Sequence, residues 1–374
     1  MILSQTGKIR IFMSATGDYV KKYINNIKKI ETIDYELHIT YDFIRTLTFF
    51  NKDETMEHFI DEAIKKGDKG IFFIQSAKKA YELHKKFKEH TLFNCSKSND
   101  KYYKYVNSEK INNMLKNERF EEQILITTAC MDTGVNIIDS NVKHIVIDIE
   151  DTGVLIQCLG RKRLKDKNDK INVYIKTISN KQLGGKETQT KHKIDMAEYF
   201  NTHTVQEYIN KYYREYDKSN IVYDETVDEV DKGTKKLNEL MFFKCKLDMF
   251  EIELIKVYKK FSHCKYLASK FGFRDDEGRY QYRIIDEEYK NEILEEYLES
   301  ILGQALLQVK DRKELIEKID VRSNGKLLKK INNLNGALEE REIPYRIIEF
   351  STSEMINGKQ KRYPNAWKVE KLMS

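Results

Sequence analysis

The stretch ILITTACMDTGVNI (residues 124–137), followed by QCLGRKR (residues 157–163), decides the fold. The first is a short apolar run closed by two threonines and then a glycine, the pattern of a buried strand that ends at a tight turn. The second closes an amphipathic stretch over 152–164 and carries two arginines. Similar short apolar runs at 9–13, 70–75, 144–149 and 172–177 read as further buried strands. Helical patterns at 76–88, 108–117 and 152–164 separate several of them. That alternation predicts an α/β fold with a parallel sheet and flanking helices.

The bulk composition fits a multidomain globular chain. At 374 residues it exceeds what one core uses, and 40% hydrophobic residues with 34% charged ones and two prolines describe a packed interior under a solvated surface. No apolar run reaches the roughly 18 residues that span a bilayer, and the opening MILSQTGKIR lacks the apolar stretch of a signal peptide. A cytoplasmic location and no membrane partner are the expectation. The five cysteines (Cys95, Cys130, Cys158, Cys245, Cys264) are odd in number, scattered, and form no C-x-x-C pair, which predicts reduced thiols. Neither they nor the eight histidines show metal-ligand spacing, so no metal site is expected, and no Ser, His and Asp arrangement points to acyl transfer.

Beyond residue 180 the pattern changes. Residues 181–193 are rich in Gly, Lys, Thr and Gln, which predicts a boundary near 185, and apolar spacing beyond it is mainly helical, at 204–217, 247–261 and 287–302, with an acidic connector at 224–231. A tyrosine stripe at Tyr208, Tyr212, Tyr213 and Tyr216 reads as packing. The tail combines a helix-like 325–341 with strand-like 345–350 and 362–369, joined through Asn357-Gly358, a strong hairpin signal. A helix followed by a basic hairpin reads either as a winged-helix-like module or as a hairpin that caps a fold. Residues 310–374 hold 15 Lys and Arg against 10 Asp and Glu. Lys361, Arg362 and Trp367 are the candidates there for nucleic-acid contact, combining charge with a π face.

Four segments resemble, in family order, motifs of superfamily 2 nucleic-acid helicases of the DEAD/DEAH type. Ser14-Ala15-Thr16 resembles motif III and GIFFIQS (residues 70–76) motif IV; residues 124–137 resemble motif V, and Gln157-Cys-Leu-Gly-Arg-Lys-Arg163 resembles motif VI, whose general pattern is Gln-x-x-Gly-Arg-x-x-Arg. The resemblance is to phage and bacterial members and covers about residues 9–180. It implies a RecA-like helicase C-terminal lobe followed by a mostly helical extension and the possible winged-helix-like end. The implied domains are a remnant of a first lobe at 1–34, the C-terminal RecA-like domain at 35–185, a helical extension at 186–305 and the basic module at 306–374.

The resemblance also implies roles. Arg161, Arg163 and Gln157 would act on nucleotide, because guanidinium groups offset the charge that develops in phosphoryl transfer without losing their proton. Gly134 and Asn136 would lie near the nucleotide, Thr128, Gln75 and Ser76 on the nucleic-acid backbone, and Ser14 and Thr16 at the coupling between nucleotide state and strand separation. Ser76 also reads as a plain helix N-cap. The family's last arginine falls on Leu164 here, and the extra arginine comes one residue earlier, so the finger role rests more on Arg161 than on Arg163.

A phosphate loop, Gly-x-x-x-x-Gly-Lys-Ser/Thr, is not found: Gly7-Lys8 is followed by Ile9 and lacks the earlier glycine. Asp61-Glu62-Ala63 imitates an acidic magnesium motif but follows Ser14-Ala15-Thr16 and sits in an amphipathic helical pattern. Only 13 residues stand before Ser14, so the expectation is the C-terminal half of a helicase that binds ATP and Mg2+ only with a first lobe from a separate chain. None is expected on the isolated chain. Nucleic acid, DNA before RNA, is the implied partner. A binding module without motor function and an inactive truncated remnant are the alternatives.

Overall fold

A computed structural model describes residues 11, 14, 16–36, 40–131, 135–166, 168–215, 220–225, 234–323 and 326–372. The chain divides into two compact units, Met1–Arg283 and Ile284–Ser374.

Unit 1 opens with helix α1 (Asp18–Lys22) and then alternates strands and helices: β1 (Ile44–Phe50), α2 (Glu54–Lys66), β2 (Lys69–Ile74), α3 (Ala77–Lys86) and β3 (Thr91–Asn94). It continues through α4 (Asp100–Tyr103), α5 (Ser108–Asn117), β4 (Ile124–Thr127), β5 (Val142–Asp148), α6 (Thr152–Leu159) and β6 (Ile171–Lys176). These strands lie in the order β3-β4-β2-β5-β6-β1, each pair of neighbours parallel. A two-residue strand β9 (Arg283–Ile284) completes a seven-stranded sheet beside β1.

Parallel neighbours cannot be joined by a tight turn, so the chain must cross back over a face of the sheet. The crossovers bury both faces, and all four residues of β4 and Gly70 to Ile74 of β2 are accordingly buried. Helix α2 shows how the sequence builds a crossover. Met56, Ile60 and Ala63 fall on one buried stripe, Glu54 and Glu57 lie in the first turn, and Lys65 and Lys66 lie in the last, each charge matching the end of the helix dipole it faces. Gly67 then takes φ +70°, the left-handed conformation that ends helices most cheaply at glycine. Ser76, Asn107 and Asp151 start α3, α5 and α6 by accepting a hydrogen bond from a first-turn backbone N–H.

Several sequence expectations are corrected here. Strands β1 and β3 were not expected; β1 is interrupted by Arg45 and Thr46, and β3 has only four residues, so neither stands out as an apolar run. Of the strand expected at 9–13 only Ile11 is described, and it is exposed outside regular structure. Residues 181–193, where a boundary is expected near 185, lie within α7 (Asn180–Thr202). A capping box between Ser179 and Gln182 starts that helix, and Leu183, Met196 and Ala197 anchor it, which outweighs the two glycines near its start.

The rest of unit 1 is α8 (Val205–Lys211), a two-stranded ribbon of β7 (Val222–Glu225) and β8 (Thr234–Leu237), α9 (Glu239–Val257) and α10 (Ser262–Lys270). Residues 226–231 of the expected acidic connector lie outside the described residues. Tyr208 and Tyr212 pack with Met196, Ala197 and Cys245 in one apolar cluster, whereas Tyr213 is exposed and Tyr216 lies outside the described residues.

Unit 2 comprises α11 (Ile285–Ser300), β10 (Ala305–Leu306), α12 (Val309–Ile319), a short ribbon of β11 (Arg322–Ser323) and β12 (Lys326–Leu327), α13 (Ile331–Glu340), β13 (Tyr345–Ile356) and β14 (Lys359–Lys371). Strand β14 pairs antiparallel with both β13 and β10. The order is thus helix, strand, two helices with a short ribbon between them, and a hairpin. Leu298, Leu315, Ile319, Leu334, Leu338, Ile347 and Val369 form its core. The helix expected from 325 begins only at Ile331, after the β11–β12 ribbon.

The hairpin turns at Asn357 and Gly358, with φ +51° and +74°, as a type I′ turn requires. An L side chain in this region costs roughly 1–2 kcal/mol. Gly358→Ala should therefore lower the stability of unit 2 by about 1 kcal/mol. The chain's single tryptophan, Trp367, is buried in this unit and serves as the probe in urea unfolding. An unchanged midpoint would contradict the turn assignment.

Candidate functional site

The residues after each parallel strand emerge on one edge of the sheet, the edge where α/β folds collect their ligand-binding groups. Gln75 follows β2 and Glu150 follows β5; the Gln75 N–H donates to the Asp148 carbonyl at 2.9 Å, and its side-chain Oε1 accepts the Glu150 N–H at 3.2 Å. Ser76 is exposed and caps α3 by accepting from the Lys79 N–H at 3.4 Å. Its hydroxyl thus fills the plain cap role.

Thr128 follows β4 but turns inward. It is buried, and its Oγ1 accepts the Cys130 N–H at 3.5 Å, so its hydroxyl shapes the turn. Beside these residues, Lys79 Nζ lies 2.5 Å from both Asp53 and Asp148, and Lys176 pairs with Asp53 as well. Burial opposes the charge on Asp53, but Lys176 and Lys79 outweigh it and hold the carboxyl below its usual range.

The second cluster joins three stretches of sequence. Gln157 Nε2, on α6, donates to Thr16 Oγ1 at 2.6 Å across 141 positions, and Ser14 Oγ accepts the Thr16 N–H at 3.1 Å. One turn on, Arg161 donates through Nε to the Gln157 carbonyl and through Nη1 to the Val135 carbonyl, both at 3.0 Å. Arg161 thus ties the end of α6 to the loop after β4. Ile137 and Lys162 form a parallel bridge: the Ile137 N–H donates to the Arg161 carbonyl at 2.8 Å, and the Arg163 N–H to the Ile137 carbonyl at 2.9 Å.

Arg163 is exposed, and its Nε donates to Asn136 Oδ1 at 2.8 Å. Its Nη groups have no acceptor among the described residues. The structure therefore brings together Thr16, Gln157, Arg161, Arg163 and Asn136, with Ser14 next to them. Gly134 lies outside the described residues. In unit 2, Lys361 and Arg362 are exposed, but Trp367 is only 8% exposed and packs in the core under the Arg312 guanidinium. The stacking role expected of Trp367 is corrected on that ground, because a ring at that depth offers no free face to a base.

Sequence reasoning missed the pair that holds this cluster. Between the two arginines, Lys162 is 3% exposed and forms an ion pair with Asp169, itself 5% exposed. Lys162 also donates to the Arg163 carbonyl at 3.0 Å, and Asp169 accepts the Lys165 N–H at 3.1 Å. Burial pushes against the Asp169 charge, yet Lys162 and the Lys165 N–H outweigh it and keep the carboxyl below its usual range. A lysine flanked by arginines reads as surface charge, and nothing local to the sequence marks it as buried. Asp151 was missed too, although an aspartate just before a helical stretch is a cap signal. It caps α6 through the Val154 N–H at 3.0 Å and pairs with Lys244 at 3.3 Å.

No protein-family model and no curated protein matches the chain. Among solved structures, a variant of S. cerevisiae Dbp5 bound to RNA and ADP BeF3 is similar over 44% of this chain and 43% of its own, at 19% identity and TM-score 0.32. The DEAD-box helicase Mss116 bound to ssRNA and UDP-BeF is similar over 68% of this chain and 50% of its own, at 16% identity and TM-score 0.32. The ATP-dependent Type ISP restriction-modification enzyme LlaBIII bound to DNA matches 91% of this chain but 23% of its own, at 10% identity and TM-score 0.26. The alignment takes in half or less of each of these chains.

The Lys162–Asp169 pair predicts a pH dependence. A carboxyl held below its ordinary value of 3.8 adds stability above that value, and loses it as pH falls through the lowered folded value. Unit 1 should lose stability below about pH 4. Asp169→Asn should remove that share of the acid limb and cost about 3–5 kcal/mol at pH 7, because Lys162 is left buried without a counter-charge. Urea unfolding at about pH 7 and about pH 3.5 checks both; an Asn variant as stable as the parent at neutral pH would show that the pair holds nothing.

Proposed function

We propose that this chain is the arginine-bearing half of an ATP-dependent superfamily 2 helicase motor, working against a lobe that carries the phosphate loop and the magnesium motif. The observation that carries this reading is the Gln157–Thr16 hydrogen bond. It joins the stretch that resembles motif III to the helix that resembles motif VI, the connection a motor needs if nucleotide state is to be felt by the nucleic-acid track.

Bound ATP supplies the phosphoryl group whose transfer drives such a motor; the protein's part is position and positive charge. Arg163 suits the charge-bearing role, being exposed, steered by Asn136 through Nε, and able to present two Nη groups outward. Arg161 suits a positioning role, since its donors tie α6 to the Val135 carbonyl. This reverses the weighting that the sequence pattern alone suggests. Asn136 holds Arg163, and Gln75 and Ser76 offer exposed polar groups for a backbone track, which needs positioning contacts rather than base readout. Magnesium belongs in this reading to the other lobe, where the resemblance puts the phosphate loop and the acidic motif. The proposed track is DNA, and the proposed source of the ATP-binding lobe is a separate chain.

The test pairs the full chain with the ATP-binding lobe isolated from the same source and measures nucleic-acid-stimulated ATP turnover. Arg163→Ala should lower kcat by about 10³-fold or more, the scale of an arginine finger, with nucleic-acid affinity unchanged. Arg161→Ala should lower turnover and also destabilise unit 1. Turnover indifferent to Arg163→Ala would contradict the assignment, and loss of nucleic-acid binding without any change in turnover would mark a binding module instead.

A further inference from the structure

Within unit 1, helices α7 and α9 and the residues that follow β5 and β6 line a cavity of about 190 Å3. Ile178, Leu183, Ile252 and Ile255, each 7% exposed or less, give it an apolar floor. His263, near the start of α10 and 2% exposed, lines it as well. Its Nδ1 accepts the Ile178 N–H at 3.3 Å, and because a backbone N–H only donates, the ring proton sits on Nε2. Burial pushes the imidazole down to about 3, so the ring is neutral and keeps that proton arrangement at neutral pH. Nε2 has no acceptor among the described residues, and it is not sealed in by protein. A donor held among apolar groups with nothing to receive it costs free energy, which an incoming acceptor recovers.

The charged groups around this floor mostly satisfy one another. Lys186 pairs with Glu150 at 3.1 Å, Lys244 bridges Asp151 and Asp248 at 3.3 and 2.9 Å, and the Tyr266 hydroxyl donates to Glu251 at 2.6 Å. Lys193 is left over, and it is exposed, so water screens it. The cavity therefore has no strong charge to hold an ion. The side chains of Gln189 and Thr190, on the α7 side, make no hydrogen bond among the described residues and are free to meet the edge of a polar molecule.

We propose that this cavity binds one uncharged heterocyclic ring of pyrimidine-base size, with a ring carbonyl accepting from His263 Nε2 and the ring faces against the isoleucines and leucine. Size decides between ligands. A dry apolar cavity of about 150 Å3 takes a benzene ring, so the space here admits one six-membered ring with its substituents, whereas drug-sized ligands need roughly 300 Å3 or more. A purine nucleotide is excluded on that ground, and its phosphates would also meet the carboxylates of Glu150, Asp151, Asp248 and Glu251. Benzene itself would cover the floor but leave the His263 donor unmet. Asp151 and Thr152 line the cavity too, so a ring bound here lies beside the first turn of α6, the helix that carries Gln157. The inference stands on the cavity alone and does not depend on the motor reading.

The test titrates the full chain with uracil and, separately, with benzene, each read by saturation-transfer NMR. Uracil should bind, and more tightly than benzene. His263→Phe keeps a buried ring but removes the donor; it should weaken uracil by about tenfold or more, the scale of a buried hydrogen bond left unmade, and leave benzene unchanged. Thr190→Phe, at a half-buried position of α7 where the two residues have similar helix propensity, should occlude both probes while the circular dichroism melt stays unchanged, so the proposal is still tested if His263→Phe fails to fold. Competition separates the sources of the ring: displacement of uracil by thymidine but not by single-stranded oligothymidylate marks a site for a free nucleoside, and displacement by both marks a site for an unpaired base of a strand. No uracil binding by the parent chain, benzene bound as tightly as uracil, or full uracil binding by a folded His263→Phe or Thr190→Phe variant would each overturn the proposal.

Discussion

A parallel sheet has to be crossed over after every strand, and that constraint arranges everything in unit 1. Because no strand in the order β3-β4-β2-β5-β6-β1 can turn directly into its neighbour, each leaves the sheet at the same edge and returns beneath it. Gln75, Thr128, Asp148 and Asp151 reach one edge for that reason, although they are scattered over the sequence. The same crossovers demand apolar residues on both faces of the central strands. The interior of β2 and β4 is thus fixed by chain topology, and the polar residues that follow them are left to carry chemistry.

The loop after β4 and the end of α6 need more than the sheet to hold them. The bridge between Ile137 and Lys162 zips the two segments, and the buried Lys162–Asp169 pair locks the zip from inside. A buried charge pair is a poor source of net stability, but breaking one is costly, which makes such a pair a good register pin. Here it fixes where Arg161 and Arg163 sit on either side of Lys162. Flanking it, Arg161 bonds the Val135 carbonyl, while Arg163 bonds Asn136 and is exposed. Their separate partners follow from a short offset along the chain.

The legible parts of the sequence were those whose signal is local. Continuous apolar runs marked β2, β4, β5 and β6, and Asn357-Gly358 marked the hairpin turn through its two left-handed residues. Strand β1 escaped because Arg45 and Thr46 break its run, and α7 escaped because Gly184 and Gly185 imitate a linker while two of its buried anchors, Met196 and Ala197, lie much farther along the helix. Resemblance singled out the arginine helix, yet the different hydrogen bonds of Arg161 and Arg163 depend on groups that no motif records. Trp367 read as an exposed stacking group because its neighbours are basic; the β14 alternation and Arg312 place it inside. Pairings between distant stretches, such as Thr16 with Gln157, leave no trace in composition or period.

The Thr16–Gln157 hydrogen bond is the link on which the motor reading turns. A double-mutant cycle of Thr16→Val and Gln157→Leu, measured by urea unfolding of unit 1 with circular dichroism, tests whether the two stretches form one site. A coupling of about 0.5–1.5 kcal/mol is predicted, the net worth of one hydrogen bond between side chains that touch. Additivity within about 0.3 kcal/mol would mean that the two residues do not meet in solution, and the motor reading would lose the observation it rests on.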